Sequence, residues 1–138
     1  MRTEDHPAPA SQAAAGDLAA RFTGALAARD ASGLLALFGS EVDFRALTPG
    51  RVWEASTPAV IVHDVILGAW FEPADVIERV ESAETVPVAS RTRLSYRLRV
   101  TNPGGSYTVE QQAYLQLTGG RITWLRLVCS GFIPTGNT

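Results

Sequence analysis

The chain contains no lysine, a single cysteine and two histidines among its 138 residues. All twelve of its basic residues are arginine, which excludes chemistry that needs a lysine amine, as a Schiff base or as the phosphate-binding lysine of a P-loop. The lone Cys129 rules out an internal disulfide and a multi-cysteine metal site, and we expect it to be a small buried apolar side chain. The sequence predicts no cofactor and no metal.

Strong charge of one sign and long apolar runs are also lacking. The formal net charge is -2, and no helix carries a dense arginine stripe, so nucleic acid is not an expected partner. No run approaches the ~18 apolar residues of a membrane span, and the N-terminus lacks the apolar core of a signal peptide. We therefore predict a cytoplasmic protein with no membrane partner, which fits a single free cysteine.

The composition, with 46% hydrophobic and 19% charged residues, is that of one globular domain able to bury a core. The Pro- and Ala-rich residues 1–14 predict a flexible N-terminal arm. Residues 15–133 form the predicted single domain, and residues 134–138 a loose tail.

Three helices are predicted in the first half of the chain. The first opens at Gly16 or Asp17 and places its apolar residues on one face. A short second helical turn stops at Gly39, a residue suited to the left-handed position after a helix. A third helix runs from Pro58, a first-turn proline, to about Phe71.

The second half of the chain predicts long antiparallel strands. Before them, residues 42–46 alternate as a strand that points Asp43 away from the core, and Thr48 to Gly50 form a turn into a short returning strand, residues 52–55. Glycine-rich turns separate the later strands, which are predicted at residues 76–88, 91–100, 107–117 and 122–132.

This order predicts an α+β fold, with helices against one face of a curved sheet. The stretches GDLAARFTGALAARDASGLLALFGSEVDF and QQAYLQLTGGRITWLRLVCSGF, with a third helix ending in GAWF, resemble the nuclear transport factor 2-like (NTF2-like) superfamily and its SnoaL-like and ketosteroid-isomerase-like small bacterial proteins. The resemblance implies a cone-shaped antiparallel half-barrel wrapped around about three helices, a pocket for a small apolar molecule, and dimerisation through the outer sheet face. Members include isomerases, cyclases, dehydratases and epoxide hydrolases as well as proteins that only bind ligands.

The catalytic residues of two enzyme branches are missing. The isomerase base would fall near Ala46 or Leu47, and the acid that holds the dienolate oxygen near Gln111 or Ala113, all without a carboxylate. Epoxide hydrolysis needs two aspartates and an arginine around one water, yet Glu110 is the only acidic residue in segment 91–132, and it points outward.

Residues 44–71 gather polar groups among aromatic side chains, as ligand pockets do. His63 and Asp64 are candidates for a catalytic base, or else form the solvent-exposed stripe of the third helix. Arg51 could hold a carboxylate or enolate, or pair with Glu54 on the surface. The catalytic candidates are His63, Asp64 and Tyr96, and the ligand-binding candidates are Phe44, Arg51, Trp53, His63, Trp70, Tyr96 and Gln111.

The last strand should point Trp124 and Arg126 outward beside Tyr114, a composition typical of interface centres. We predict a homodimer through this face, with Trp124 buried only in the assembled form. Two functions stay open: a protein that binds a small apolar or aromatic molecule without an intact ketosteroid-isomerase set, and an isomerase, cyclase, dehydratase or hydrolase that transfers protons on a small carbonyl compound.

Overall fold

A mostly antiparallel sheet of seven strands forms the frame of the described part of the chain in a computed structural model. The structure describes the backbone of residues 7–135 and the side chains of residues 17–135. The elements are α1 (Pro7–Ala27), α2 (Ala31–Leu35), β1 (Phe38–Thr48), β2 (Arg51–Ala55), α3 (Val60–Trp70), β3 (Val76–Val88), β4 (Arg91–Asn102), β5 (Gly105–Thr118), β6 (Arg121–Cys129) and β7 (Ile133–Pro134).

The strand order is β2-β1-β6-β5-β4-β3, and β7 pairs with the start of β5. Only the β1–β6 pair is parallel, and every other pair is antiparallel. Register shifts with extra residues in β1, β3 and β6 mark bulges or irregularities, and bulges bend a strand and increase its twist. The sheet is therefore curved and open, and it confirms the predicted half-barrel.

The core lies between the concave face of this sheet and the helices. Helix α1 presents Leu18, Phe22 and Leu26, spaced four residues apart, and packs against β3 and β4. The alternation predicted for the strands is observed, since Leu94 and Leu98 are buried while Asp43 is exposed. The glycine-rich turns between β4 and β5 and between β5 and β6 lie where the sequence predicts them. None of the helices in the described residues is long and apolar enough to cross a membrane.

Two predicted helix boundaries differ from the structure. Helix α1 begins at Pro7 rather than at Gly16 or Asp17, and so includes residues 7–14 of the predicted arm. Gly39 does not end a helix but lies inside β1, where a side chain would approach Thr123 Cγ2 at 3.1 Å. The residue with left-handed geometry between α1 and α2 is instead Arg29, with φ of 53°.

Helix α3 has wider turns than an ordinary α-helix. Its hydrogen bonds run from residue i+5 back to residue i, as in the bond from Phe71 N to Ile66 O at 2.9 Å. Buried positions consequently recur as the groups 61–62, 65–66 and 70–71, and His63 and Asp64 fall on the exposed side. Of the two arrangements that the sequence left open for His63 and Asp64, the structure thus shows the solvent-exposed stripe.

Candidate functional site

An apolar cavity of about 190 Å³ lies where the β1–β2 turn, the end of α3, the middle of β5 and the segment after β6 meet. Four of its ten lining residues are aromatic, and aromatic walls are typical of small-molecule sites. Its lining residues are Thr48, Pro49, Trp53, Ala69, Trp70, Phe71, Gln111, Cys129, Gly131 and Phe132.

Trp70 is the centre of the aromatic wall. Its ring packs against Phe44 at 6.0 Å between centroids and meets Trp53 edge to face at 6.2 Å. The Trp53 indole donates to Thr48 Oγ1 at 2.7 Å, and the Arg51 guanidinium stacks 3.6 Å from the Trp53 ring centroid. These contacts hold Trp53 in one orientation at the wall.

The segment after β6 closes the opposite side of the cavity. Phe132 packs against Phe71 at 5.9 Å and against Tyr107 at 5.6 Å between ring centroids. Gly131 has φ of 80°, and a Cβ there would lie 2.8 Å from Pro49 Cγ. The close approach to the β1–β2 turn therefore requires glycine at this position.

Polar groups reach this apolar region through the concave face of the sheet. Tyr96, Gln111 and Cys129 are cross-strand neighbours on β4, β5 and β6. The buried Tyr96 hydroxyl donates to Gln111 Oε1, and Cys129 Sγ accepts from Gly131 N at 3.3 Å. Burial, and secondarily the nearby Cys129 thiol, raises the pKa of the Tyr96 phenol far above its ordinary value. Tyr96 is therefore a neutral hydrogen-bond donor at physiological pH.

Two buried donors of the cavity residues have no hydrogen-bond partner among the described residues. They are Nε2 of Gln111, a side chain that is 2% exposed, and Nε1 of Trp70, which is 8% exposed. Native structures pair nearly all such groups, because an unpaired buried donor costs about 1–3 kcal/mol. The cavity is thus apolar in its walls and deficient in hydrogen-bond acceptors.

The Arg29 side chain forms hydrogen bonds with the C-terminal end of α3, which contributes residues to the cavity wall. Its guanidinium donates to the carbonyls of Leu67 at 3.0 Å, Phe71 at 2.8 Å and Glu72 at 3.1 Å. These carbonyls lie at the negative end of a helix, where a cation is favourable. The left-handed backbone at Arg29 places its side chain at a bend between α1 and α2, beside α3.

The structure brings only part of the predicted set together. Trp53, Trp70 and Gln111 line the cavity, and Tyr96 reaches it through its bond to Gln111. Phe44 is packed behind Trp70 as core. The three remaining predicted residues lie outside the lining and are exposed: Arg51, His63 and Asp64.

Seven of the ten lining residues are absent from the predicted set: Thr48, Pro49, Ala69, Phe71, Cys129, Gly131 and Phe132. The inward alternation of β6 did place Cys129 on the concave face, but it is half-buried at the cavity, not a fully buried packing residue. For Phe132 and Gly131 no local pattern existed, because the segment after β6 is irregular. Their role depends on contact with the β1–β2 turn, about 80 residues earlier in the chain.

The cavity offers little for acid–base chemistry. Among the described residues that line it, none is Asp, Glu or His, and Cys129 is the only titratable side chain. No group of three His, Cys, Asp or Glu side chains suited to a metal occurs within the described residues. The arrangement can enclose the apolar part of a small molecule and donate hydrogen bonds to a polar atom that the molecule carries.

The outer face of the sheet carries the predicted interface residues. Trp124 is half-buried, stacked between Arg91 at 3.7 Å and Arg126 at 4.4 Å. Arg126 also bonds Asp43 at 3.1 Å and lowers the pKa of that carboxyl. Beside them, one cross-strand row of exposed apolar side chains comprises Val52, Leu47 and Val128, which are 65%, 49% and 58% exposed.

No protein-family model and no curated protein matches the chain. Solved structures do match over most of its length. An LEH-like epoxide hydrolase of M. tuberculosis aligns with a TM-score of 0.63 and 12% identity, covering 87% of this chain and 85% of that one. A proposed isomerase from Bacillus subtilis aligns with a TM-score of 0.69 and 11% identity, covering 86% of this chain and 87% of that one.

An NTF2-like protein of unknown function from Pseudomonas putida aligns with a TM-score of 0.60 and 12% identity, and 87% of each chain is covered. At these identities the likeness shows the fold alone. The fold of this chain is NTF2-like, as its sequence predicted.

Proposed function

We propose that this chain, which has the NTF2-like fold, binds a small apolar or aromatic molecule in the cavity beside Trp70. The observation that supports this proposal most directly is the cavity wall, in which Trp53, Trp70, Phe71 and Phe132 surround about 190 Å³ of space. A dry apolar cavity of about 150 Å³ suffices to bind benzene in another protein. The expected occupant is a molecule of roughly one ring.

The competing proposal is an enzyme that transfers protons on a small carbonyl compound. It is less well supported, because a general base must lie within hydrogen-bond reach of the proton it removes. His63 and Asp64 are exposed outside the cavity lining, and Tyr96 stays protonated. Only the Cys129 thiol stands at the cavity as a titratable group, so we place binding before catalysis.

Tryptophan fluorescence tests the binding proposal. In a Trp124→Phe variant only Trp53 and Trp70 remain, and both line the cavity. We expect toluene and cyclohexanone to change this emission saturably and to raise the melting temperature, whereas a steroid should do neither because of its size.

A matched pair of substitutions, one in α3 and one at the residue just before it, locates the site. Ala69→Phe inserts a ring at a lining position, and Ala59→Phe adds the same ring at an exposed residue outside the lining. We expect Ala69→Phe to abolish the fluorescence response and Ala59→Phe to leave it intact. Saturable binding that survives Ala69→Phe would place the ligand elsewhere and refute the proposed site.

We further propose that the predicted homodimer through Tyr114, Trp124 and Arg126 also buries the adjacent apolar row of Val52, Leu47 and Val128. Its support is the contiguity of the row in the sheet register and the charges of both signs beside it, Arg45 and Glu54, which permit self-complementary packing. Sedimentation equilibrium should show a dimer that Val128→Arg dissociates. The control Val76→Arg, at the exposed start of the opposite edge strand, should remain dimeric. A wild-type monomer at high micromolar concentration would contradict the proposal.

A further inference from the structure

We propose that the cavity selects a neutral carbonyl compound, such as a ketone, aldehyde or lactone of about one ring, whose oxygen accepts hydrogen bonds from Gln111 Nε2 and Trp70 Nε1. This inference rests on the proposed binding function and names its ligand class. Four buried side-chain donors lack a partner among the described residues, and two of them, Gln111 Nε2 and Trp70 Nε1, belong to residues that line the same cavity; the other two are Nε of Arg93 and of Arg99.

The lack of an acceptor is not shared by every donor of the aromatic wall. The other indole at the cavity, that of Trp53, already donates to Thr48 Oγ1 at 2.7 Å. Trp70 Nε1 therefore differs from its neighbour in having no acceptor, although it is equally able to donate. An acceptor supplied by a ligand would remove this difference.

Gln111 Nε2 is unpaired because the hydrogen bond with Tyr96 uses the other end of the Gln111 amide. The Tyr96 hydroxyl donates to Gln111 Oε1, which occupies the acceptor end of the amide and leaves the NH₂ end unpaired. Because the buried phenol stays neutral throughout the physiological pH range, the Tyr96 hydroxyl keeps the proton that it donates to Gln111 Oε1. The pair thus presents a donor whose direction is fixed by the sheet register that joins β4 to β5.

The acceptor should be neutral rather than ionised. None of the described lining residues carries a positive charge. Two guanidinium groups contact lining residues but are already engaged: that of Arg51 stacks on the Trp53 ring, and that of Arg29 donates to the Phe71 carbonyl. A carboxylate would lose its hydration without gaining a cation, which is costly. A carbonyl oxygen accepts two hydrogen bonds without bringing a charge into the cavity.

The test compares two probes of the same shape, cyclohexanone and methylenecyclohexane, which differ by C=O against C=CH₂. Trp70→Phe removes one donor, and the double variant Tyr96→Phe with Gln111→Leu removes the other together with its partner, so that neither is left unpaired. Trp124→Phe is the control on the outer face. Dissociation constants are measured by calorimetry, with cyclohexanecarboxylate as the charged probe.

We expect each donor-removing variant to weaken cyclohexanone binding on the order of tenfold, as the loss of one hydrogen bond predicts. Methylenecyclohexane should change by less than about threefold, which also shows that the cavity remains intact, and Trp124→Phe should change neither constant. Cyclohexanecarboxylate should bind more weakly than the ketone in every form.

If the variants change the dissociation constants of cyclohexanone and methylenecyclohexane equally, the inference is overturned, because the two donors would then bond to water and not to the ketone. The proposed binding function would still hold. Tighter binding of the carboxylate than of the ketone would overturn the inference as well. If neither neutral probe binds the wild-type protein, the proposed function fails and the inference fails with it.

Discussion

Replacement of Arg29 should destabilise the protein more than replacement of any ordinary surface arginine. Its side chain joins the bend between α1 and α2 to three carbonyls at the end of α3. Arg29→Ala removes all three hydrogen bonds but keeps a non-glycine residue at φ of 53°. Arg29→Gly removes the same bonds and also relieves the left-handed backbone, so the pair separates the two effects.

The magnitude follows from the burial of the accepting carbonyls. The bonds to Leu67 and Phe71 are partly buried, and the bond to Glu72 is exposed. At about 1.5 kcal/mol for each partly buried charge-assisted bond, Arg29→Ala should lower the free energy of unfolding by roughly 3 kcal/mol. Arg29→Gly should lower it by roughly 2 kcal/mol, because about 1 kcal/mol of backbone strain is relieved.

Urea and thermal denaturation measure both variants. For a chain of this size a loss of 1 kcal/mol lowers the melting temperature by roughly 3–4 °C, so Arg29→Ala should melt about 10 °C below wild type. The urea slope should not change, because the same surface unfolds. The control is Arg21→Ala, since the only ion pair described for Arg21 joins it to the exposed Asp17 at 3.7 Å, and such pairs contribute little.

Two results would refute this reasoning. An Arg29→Ala protein as stable as Arg21→Ala would show that the three bonds do not contribute to stability. An Arg29→Gly protein less stable than Arg29→Ala would show that the left-handed backbone at this residue carries no strain.

Two further substitutions and one pH profile probe the cavity. Gly131→Ala should lower the free energy of unfolding by about 1–3 kcal/mol, because its Cβ would lie 2.8 Å from Pro49 and φ is 80°. Gly24→Ala, with nothing within 4 Å, should raise the free energy of unfolding by about 0.5–1 kcal/mol in the same urea assay. The reverse order of stabilities would contradict the close approach of Gly131 to Pro49. The pKa of Tyr96 is raised in the folded state, so its neutral form stabilises the fold below the unfolded-state pKa of about 10, and this stabilisation falls as the pH rises above that value. The variant with Tyr96→Phe and Gln111→Leu should lose stability less steeply above pH ~10, and identical alkaline profiles would show that Tyr96 does not titrate on unfolding.

The sheet was predictable because its signals are local. Alternation of apolar and polar residues along β4 places Leu94 and Leu98 on one face, whatever the rest of the chain does. The turns at Gly50 and at Gly119–Gly120 adopt the positive φ values that glycine favours. Strand limits and the inward positions of Tyr96 and Gln111 could therefore be read from neighbouring residues.

The candidate site was predictable only in part, because it depends on helix geometry and on contacts between distant segments. His63 and Asp64 face outward because the turns of α3 are wider than those of an α-helix. The spacing of apolar residues along the sequence does not predict this wider turn. Phe132 becomes a wall residue only because the chain returns past Phe71 and Tyr107.

By itself, then, the sequence determined the composition of the protein, its α+β class and the face of each strand, since these follow from residue type and from spacing along one element. The tertiary structure alone decided which of those side chains meet. It paired Tyr96 with Gln111 through the β4–β5 register and left the Gln111 and Trp70 donors without an acceptor. The physical reason is that hydrogen bonds and cavity walls require groups to lie within a few ångströms, a distance that only the assembled fold defines.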